Sequence, residues 1–281
     1  MGLFSGNYDK PGPGIRKDAP LQKPLPRFFS ILQRKFFDLV KLNLLFCVPT
    51  AVVALLVYLL NMAIPYPIVD FLPVILLSPF IGGLTFVTRN YAREEHAFIF
   101  SDFMDAIKGN WSAFLINGAI FYAVMAVLSV SIPYYLKAAP SSIMTAIAAG
   151  VCLLIGILFL FGQYYVPVMI VTFDLKIGQI IKNSLIFAVV GLWRNLLITV
   201  LLAVLGLLFY FSAIMPLTII IAACFVIFLL FSYCSFLINF AVYPLIDKMM
   251  IQPYKKKQEK ESGEEKGSED LEKPSDFTDR S

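Results

Sequence analysis

Chemistry in this chain would have to come from very few side chains. His96 is the only histidine and follows Glu94 and Glu95. One imidazole beside two carboxylates has metal-ligand character, but a second histidine and the HExxH spacing are absent, so a solvated charge cluster accounts for it. Cys47, Cys152, Cys224 and Cys234 all fall inside apolar runs without paired spacing, the pattern of small buried hydrophobes rather than of disulfides or a metal site. No glycine-rich phosphate loop, GxSxG or CxxC occurs. The expectation is a protein with no catalytic residue, no metal and no cofactor, and not an enzyme.

A second set of residues is polar but neutral and lies within apolar stretches: Asn43, Asn61, Asn117, Gln163, Asn195 and Asn239. Amides in such places ordinarily hydrogen-bond between helices. They are also what would line a solute path, and Asn117, Gln163 and Asn239 are the candidates for that role. Ionisable residues, the usual mark of ion or proton coupling in a bilayer, are expected at the edges of the spans, as at Asp70, and not inside them.

The elements that must hold these side chains are legible from composition. The chain is 59% hydrophobic and only 15% charged, against roughly 45 to 50% apolar in soluble domains, and its mean hydropathy is +0.78. An all-α polytopic membrane protein follows, since about 20 apolar residues cross the hydrocarbon layer. Six stretches qualify: Leu42 to Ile64, Phe71 to Val87, Trp111 to Leu136, Ile143 to Thr172, Leu196 to Met215 and Thr218 to Leu245. No charge interrupts Leu196 to Leu245, but as one helix it would be about 75 Å long, so the chain must turn at Met215-Pro216-Leu217. Pro73, Pro79 and Gly82-Gly83 predict a kinked second span.

Basic residues are retained on the cytoplasmic side. Eight precede the first span, three lie between the second and third, three between the fourth and fifth, and eight follow the last, leaving Lys137 alone opposite. Both termini are therefore expected on the cytoplasmic side of the membrane. The outer connections are at most about six residues long and offer no domain for capturing a ligand. The first residues lack the apolar core of a signal peptide, and Gly6 stands where a myristoylation motif wants Ser or Thr.

The cytoplasmic segments are residues 1–41, 88–110, 173–195 and 246–281. Within the first, residues 27–41 are predicted to form an amphipathic interfacial helix whose apolar side is Phe29, Leu32, Phe36 and Val40. Loop 88–110 mixes charges with phenylalanines, as a short amphipathic helix under the bundle would, and offers Arg89, Arg93, Asp102 and Asp105 as exposed partner contacts. Loop 173–195 could seat a similar helix. Trp111 and Trp193 read as interface anchors. Gly109-Asn110-Trp111 and Gly191-Leu192-Trp193 are 82 apart, and Val87-Thr88 and Val171-Thr172 are 84 apart, which suggests a parallel repeat or shared membrane composition. From about residue 252 the tail is charged and expected to be disordered.

The opening MGLFSGNYDKPGPG, the loop REEHAFIFSDFMDAIKGNW and the stretch VTFDLKIGQIIKNSLIFAVVGLWRNLL resemble the YesL family of bacterial membrane proteins, a domain of unknown function, over roughly residues 1 to 245. The resemblance carries over no site residues. It implies a context, because members are commonly encoded beside carbohydrate ABC importers and sensor kinases. The cytoplasmic docking loop of an importer permease has only a faint counterpart here, in Asp105-Ala106 and Gly109. The leading expectation is an accessory protein of carbohydrate uptake or sensing that acts through its cytoplasmic loops on importer subunits or a sensor kinase. A small-solute transporter or channel working through its own bundle is the alternative. No nucleic-acid partner is expected; the bilayer is.

Overall fold

The computed structural model describes residues 23–64, 66–212, 216–255 and 258. Every regular element among them is helical: α1 (Pro24–Arg34), α2 (Phe36–Ala63), α3 (Leu72–Leu76), α4 (Ser78–Ala92), α5 (Ile99–Ala138), α6 (Ile143–Gln163), α7 (Val166–Ile170), α8 (Ile177–Val190), α9 (Leu192–Ser212), α10 (Pro216–Phe225) and α11 (Phe231–Ile246). Short 3-10 turns precede α3 and α6, and π-helical segments at Val226–Leu230 and Asp247–Ile251 flank α11.

Five helices are long and apolar enough to cross a bilayer, and a sixth crossing results if Val69–Leu76 and Ser78–Ala92, bent by 46°, form one span. The chain is a multi-pass, all-α membrane protein. The bend falls where Pro73 and Pro79 enter the first turns of α3 and α4, positions that cost no helical N–H. The expected kink in the second span is thus present. The apolar segment from residue 196 turns back on itself, since Phe209 on α9 meets Phe225 on α10 with ring centres 5.9 Å apart; residues 213–215, where the turn is expected, lie outside the described residues.

Three boundaries differ from the sequence expectation. The amphipathic helix expected over 27–41 is divided at Lys35, so that Phe36 already belongs to the first crossing helix. Its buried side is Phe28 and Ile31, while Phe29 is 63% exposed; the apolar stripe had been placed one residue off. Phe28 stacks on Phe236 and meets Phe240 edge-on, each at 5.2 Å, and this aromatic contact with α11 selects the face. Loop 88–110 contains no separate helix under the bundle. Its first residues complete α4, and from Ile99 onward it is the start of α5, a 40-residue helix about 60 Å long and so well beyond the hydrocarbon thickness. The tail is helical through Lys255, so disorder from 252 does not hold for those residues; the rest of the tail, apart from Gln258, lies outside the described residues.

Loop 173–195 does hold a discrete helix, α8, with Ile180, Ser184, Phe187 and Ala188 buried. The two connections share a local plan. Six residues separate α4 from α5 and six separate α7 from α8, each a two-residue turn followed by four residues without regular structure, the last of them, Phe98 or Lys176, extended. In each, the next helix turns a side chain back onto its entry: Asp102 accepts from the Phe98 N–H at 2.9 Å and Gln179 from the Lys176 N–H at 3.1 Å. The structural offset is 78 at both edges, against 82 between the tryptophans, so the second unit carries four more residues, about one helical turn, before its Trp.

Lipid tails are as apolar as leucine, so helices inside a bilayer are held by close packing and hydrogen bonds rather than by transfer from water. α4 and α5 show the packing part. A Cβ on Gly82 would lie 2.7 Å from the Phe114 ring, and one on Gly83 2.6 Å from the Phe103 ring and 2.7 Å from its carbonyl oxygen. Ser78 Oγ donates to the Phe114 carbonyl at 2.5 Å. One buried cluster joins α1, α2, α4 and α5 to α11 through Ile31, Leu42, Tyr91, Phe103 and Phe236; the other joins α5, α6, α7, α8 and α9 to α11 through Phe114, Phe161, Met169, Phe187, Ile198 and Ile246. α5 and α11 belong to both.

Candidate functional site

Hydrogen bonds supply the rest of the cohesion, and the buried amides make them. Asn43 is fully buried on α2 and faces the π-helical segment of the last span. Its Nδ2 donates to the Val226 and Ile227 carbonyls at 2.9 and 2.7 Å, and its Oδ1 accepts from the Ser232 N–H at 3.0 Å. One amide thus meets three backbone groups in and just after the π-helical segment. Asn195 accepts from the Tyr165 hydroxyl at 2.8 Å and donates to the Ala188 carbonyl at 3.0 Å. Asn61 donates to Asp70 at 2.7 Å.

Of the three candidate intramembrane residues, Gln163 and Asn239 line one cavity and Asn117 pairs with Gln163. Asn117 on α5 and Gln163 at the end of α6 exchange amide hydrogen bonds at 3.2 and 3.4 Å. Asn239 on α11 donates from Nδ2 to Thr88 Oγ1 at 2.6 Å and the Thr85 carbonyl at 3.3 Å, while Thr88 and Ser235 share a 2.7 Å hydroxyl contact. Gln163, Asn239, Thr85 and Ser235 all line one cavity of about 380 Å³, whose remaining wall is Cys234 and apolar side chains from α2, α3, α4, α7 and α11. Thr85, Thr88 and Ser235 were not singled out from sequence. Their spacing is the signal that existed: Thr85 and Thr88 are three apart and Ser235 and Asn239 four apart, so each pair shares one helix face.

The four expected partner contacts fare differently. Arg89 is 6% exposed: because α4 continues to Ala92, it sits inside the bundle's edge and not in a loop. Its Nη1 donates to the Val171 carbonyl at 2.6 Å and Thr172 Oγ1 at 3.1 Å, its Nη2 to Asn90 Oδ1 at 2.9 Å, and its guanidinium lies 4.6 Å from the Phe86 ring centre. It thereby places a cation on the carbonyl end of α7, where helix-terminal partial charge is negative. The expectation that Arg89 is an exposed contact is corrected accordingly. Arg93 pairs with Glu95 at 2.6 Å and lies over the Tyr243 ring. Asp102 caps α5. Asp105 is exposed, accepting only a 3.3 Å bond from Ser101.

Glu94 takes up the charges of α1. Arg27 and Arg34 reach its two carboxylate oxygens at 2.8 and 2.7 Å, and the hydrogen bonds from Arg34 and then Arg27 hold its carboxyl below the usual carboxylate range. Glu94 sits at φ 60°, a left-handed conformation that non-glycine residues adopt at a cost. His96 is exposed, with its ring 4.7 Å from that of Phe98. Trp111 and Trp193 are 56% and 80% exposed.

Residues 39–132, from α2 through most of α5, match the family model described as "Protein of unknown function, DUF624". No curated protein and no solved structure matches the chain.

Proposed function

We propose that the chain works through its own helical bundle, as a non-enzymatic membrane protein that binds a small molecule within the bilayer and passes it as a transporter or channel. The observation that carries this reading is the convergence of Gln163, paired with Asn117, and Asn239 on one cavity walled by six helical segments. Ligand sites in helical bundles are of this kind, concave, mostly apolar and set with a few polar groups. The charges once expected to face a partner support it indirectly, since Arg89, Arg93 and Asp102 are engaged within the chain. We read both termini as cytoplasmic, from the distribution of basic residues.

The test is reconstitution. Proteoliposomes holding the purified chain should take up or release a member of a panel of labelled small molecules, in a saturable manner lost on Gln163→Ala. No transport or binding of any panel member would end this reading.

The accessory reading keeps one observation of its own. α5 is longer than a bilayer is thick, and its first turns expose Phe100 and Asp105, with Phe98 exposed just before them, a surface that a soluble or membrane partner could cover. The DUF624 match is consistent with the YesL resemblance, and through it with partners in carbohydrate uptake or sensing. Co-purification of importer subunits or a sensor kinase, lost on Phe100→Glu, would favour it.

A further inference from the structure

The chemistry of the cavity wall narrows what it can hold, given the bundle-centred function proposed above. No charged side chain lines it; its polar groups are Thr85, Gln163, Cys234, Ser235 and Asn239, set among aliphatic, Phe and Pro side chains. An ion there would lose its hydration with no counter-charge in return. A sugar would strand most of its hydroxyls against hydrocarbon, each at a cost of its own. The polar groups are moreover largely committed already: Gln163 to Asn117, and Ser235 to Thr88.

One group is not. Asn239 is 1% exposed and its Oδ1 has no hydrogen-bond partner, one of two such side-chain atoms among the described residues. The orientation of its amide is fixed chemically, because the Thr85 carbonyl can only accept and therefore takes Nδ2. Oδ1 is the atom left over, on a residue that lines the cavity, and it is covered by neighbouring wall atoms, so a donor entering the cavity reaches it by displacing them. A buried acceptor without a donor is unfavourable until a donor arrives. The volume of about 380 Å³ stands near the lower end of the roughly 300 to 1,000 Å³ range of small-molecule sites.

We infer that this cavity takes an uncharged, predominantly apolar molecule bearing one hydroxyl or N–H group, which donates to Asn239 Oδ1 while its hydrocarbon body lies against Phe46, Leu77, Ile81 and Phe231. Long-chain alcohol chemistry fits; sugars, ions and amino acids do not. A bilayer acyl chain, which has no donor, would fill the same walls without using Asn239, and the test separates the two.

The purified full chain in detergent is titrated with 1-dodecanol, with dodecyl methyl ether, with dodecylammonium and with glucose, following thermal stability and intrinsic fluorescence. The alcohol should bind about two- to tenfold more tightly than the ether, the worth of one hydrogen bond, and both more tightly than the ammonium or the sugar. Asn239→Leu should abolish the difference between alcohol and ether. Should that variant not fold, Val74→Phe, which fills the cavity and leaves Asn239 in place, should weaken alcohol and ether together. Equal binding of alcohol and ether to the unaltered chain overturns the role of Asn239. Binding of glucose or of the ammonium in preference to the alcohol overturns the ligand class while leaving a bundle-centred function standing. Binding of no compound, with Val74→Phe leaving transport unchanged, removes both.

Discussion

Replacing Asn43 by Leu keeps nearly the same volume and removes all three of its hydrogen bonds to the last span. The Val226 carbonyl and the Ser232 N–H would then lose this partner at a site that is fully buried, and the Ile227 carbonyl would keep only the Cys47 thiol at 3.5 Å. Interhelical hydrogen bonds in membranes average about 0.6 kcal/mol and reach about 1.7 kcal/mol, so three of them put the loss at about 2 to 5 kcal/mol. The assay is unfolding of the purified protein in mixed micelles with increasing SDS, followed by far-ultraviolet circular dichroism. Asn61→Leu is the control. Its partner Asp70 is exposed, so water replaces the lost bond and the cost should stay below about 1 kcal/mol. If Asn43→Leu fell within the error of the unaltered protein, or matched Asn61→Leu, the reasoning would fail: the π-helical segment would then be stable without its staple, or would revert to α-helix at no cost.

Three further outcomes follow from the same structure. Gly83→Ala should destabilise by about 1 to 3 kcal/mol through overpacking against Phe103, whereas Gly109→Ala, with nothing within 4 Å of the added carbon, should gain up to about 1 kcal/mol of helix propensity; thermal denaturation in detergent orders the two. The Glu94 clasp has a depressed carboxyl, so its contribution is present above the unfolded carboxylate value near pH 4.3 and fades as pH falls through the lower folded value. Proteolysis within α1 should accordingly rise below about pH 4 and with added salt, and Glu94→Gln should make it insensitive to both; the exposed pairs contribute only about 0 to 1 kcal/mol. For topology, Ser141→Cys in a cysteine-free background should react with an impermeant thiol reagent in intact cells and Ser101→Cys only after the cells are opened, the reverse pattern contradicting cytoplasmic termini.

Much of the fold follows from composition because a bilayer imposes one rule on every segment: apolar for about 20 residues and hydrogen-bonded within itself. That rule separates the spans, and proline supplies the breaks before Pro216 and around Pro73 and Pro79. It also makes Asn43, Asn117, Gln163, Asn195 and Asn239 conspicuous, since an amide in hydrocarbon must find a partner. The rule says nothing about partners or faces. Arg89 illustrates why: from sequence it is one basic residue among several after a span, and only the extension of α4 to Ala92 and the carbonyl end of α7, 82 residues away in the chain, make it a buried link. The stripe on α1 is similar. Phe28 and Phe29 are adjacent and chemically equal, and the choice between them is made by Phe236 and Phe240 on α11.

The sequence by itself determined an all-α polytopic membrane protein, the approximate spans, the kink in the second and the amides that must pair. Only the tertiary structure decided which amides meet, that Gln163 and Asn239 share a cavity, that Asn239 Oδ1 is left without a donor, and that most of the supposed surface charges are spent within the chain. The reason is physical. Burial in lipid is a local property, set by each residue and its neighbours along the chain, whereas a cavity and a hydrogen bond belong to pairs of helices whose meeting no single segment encodes.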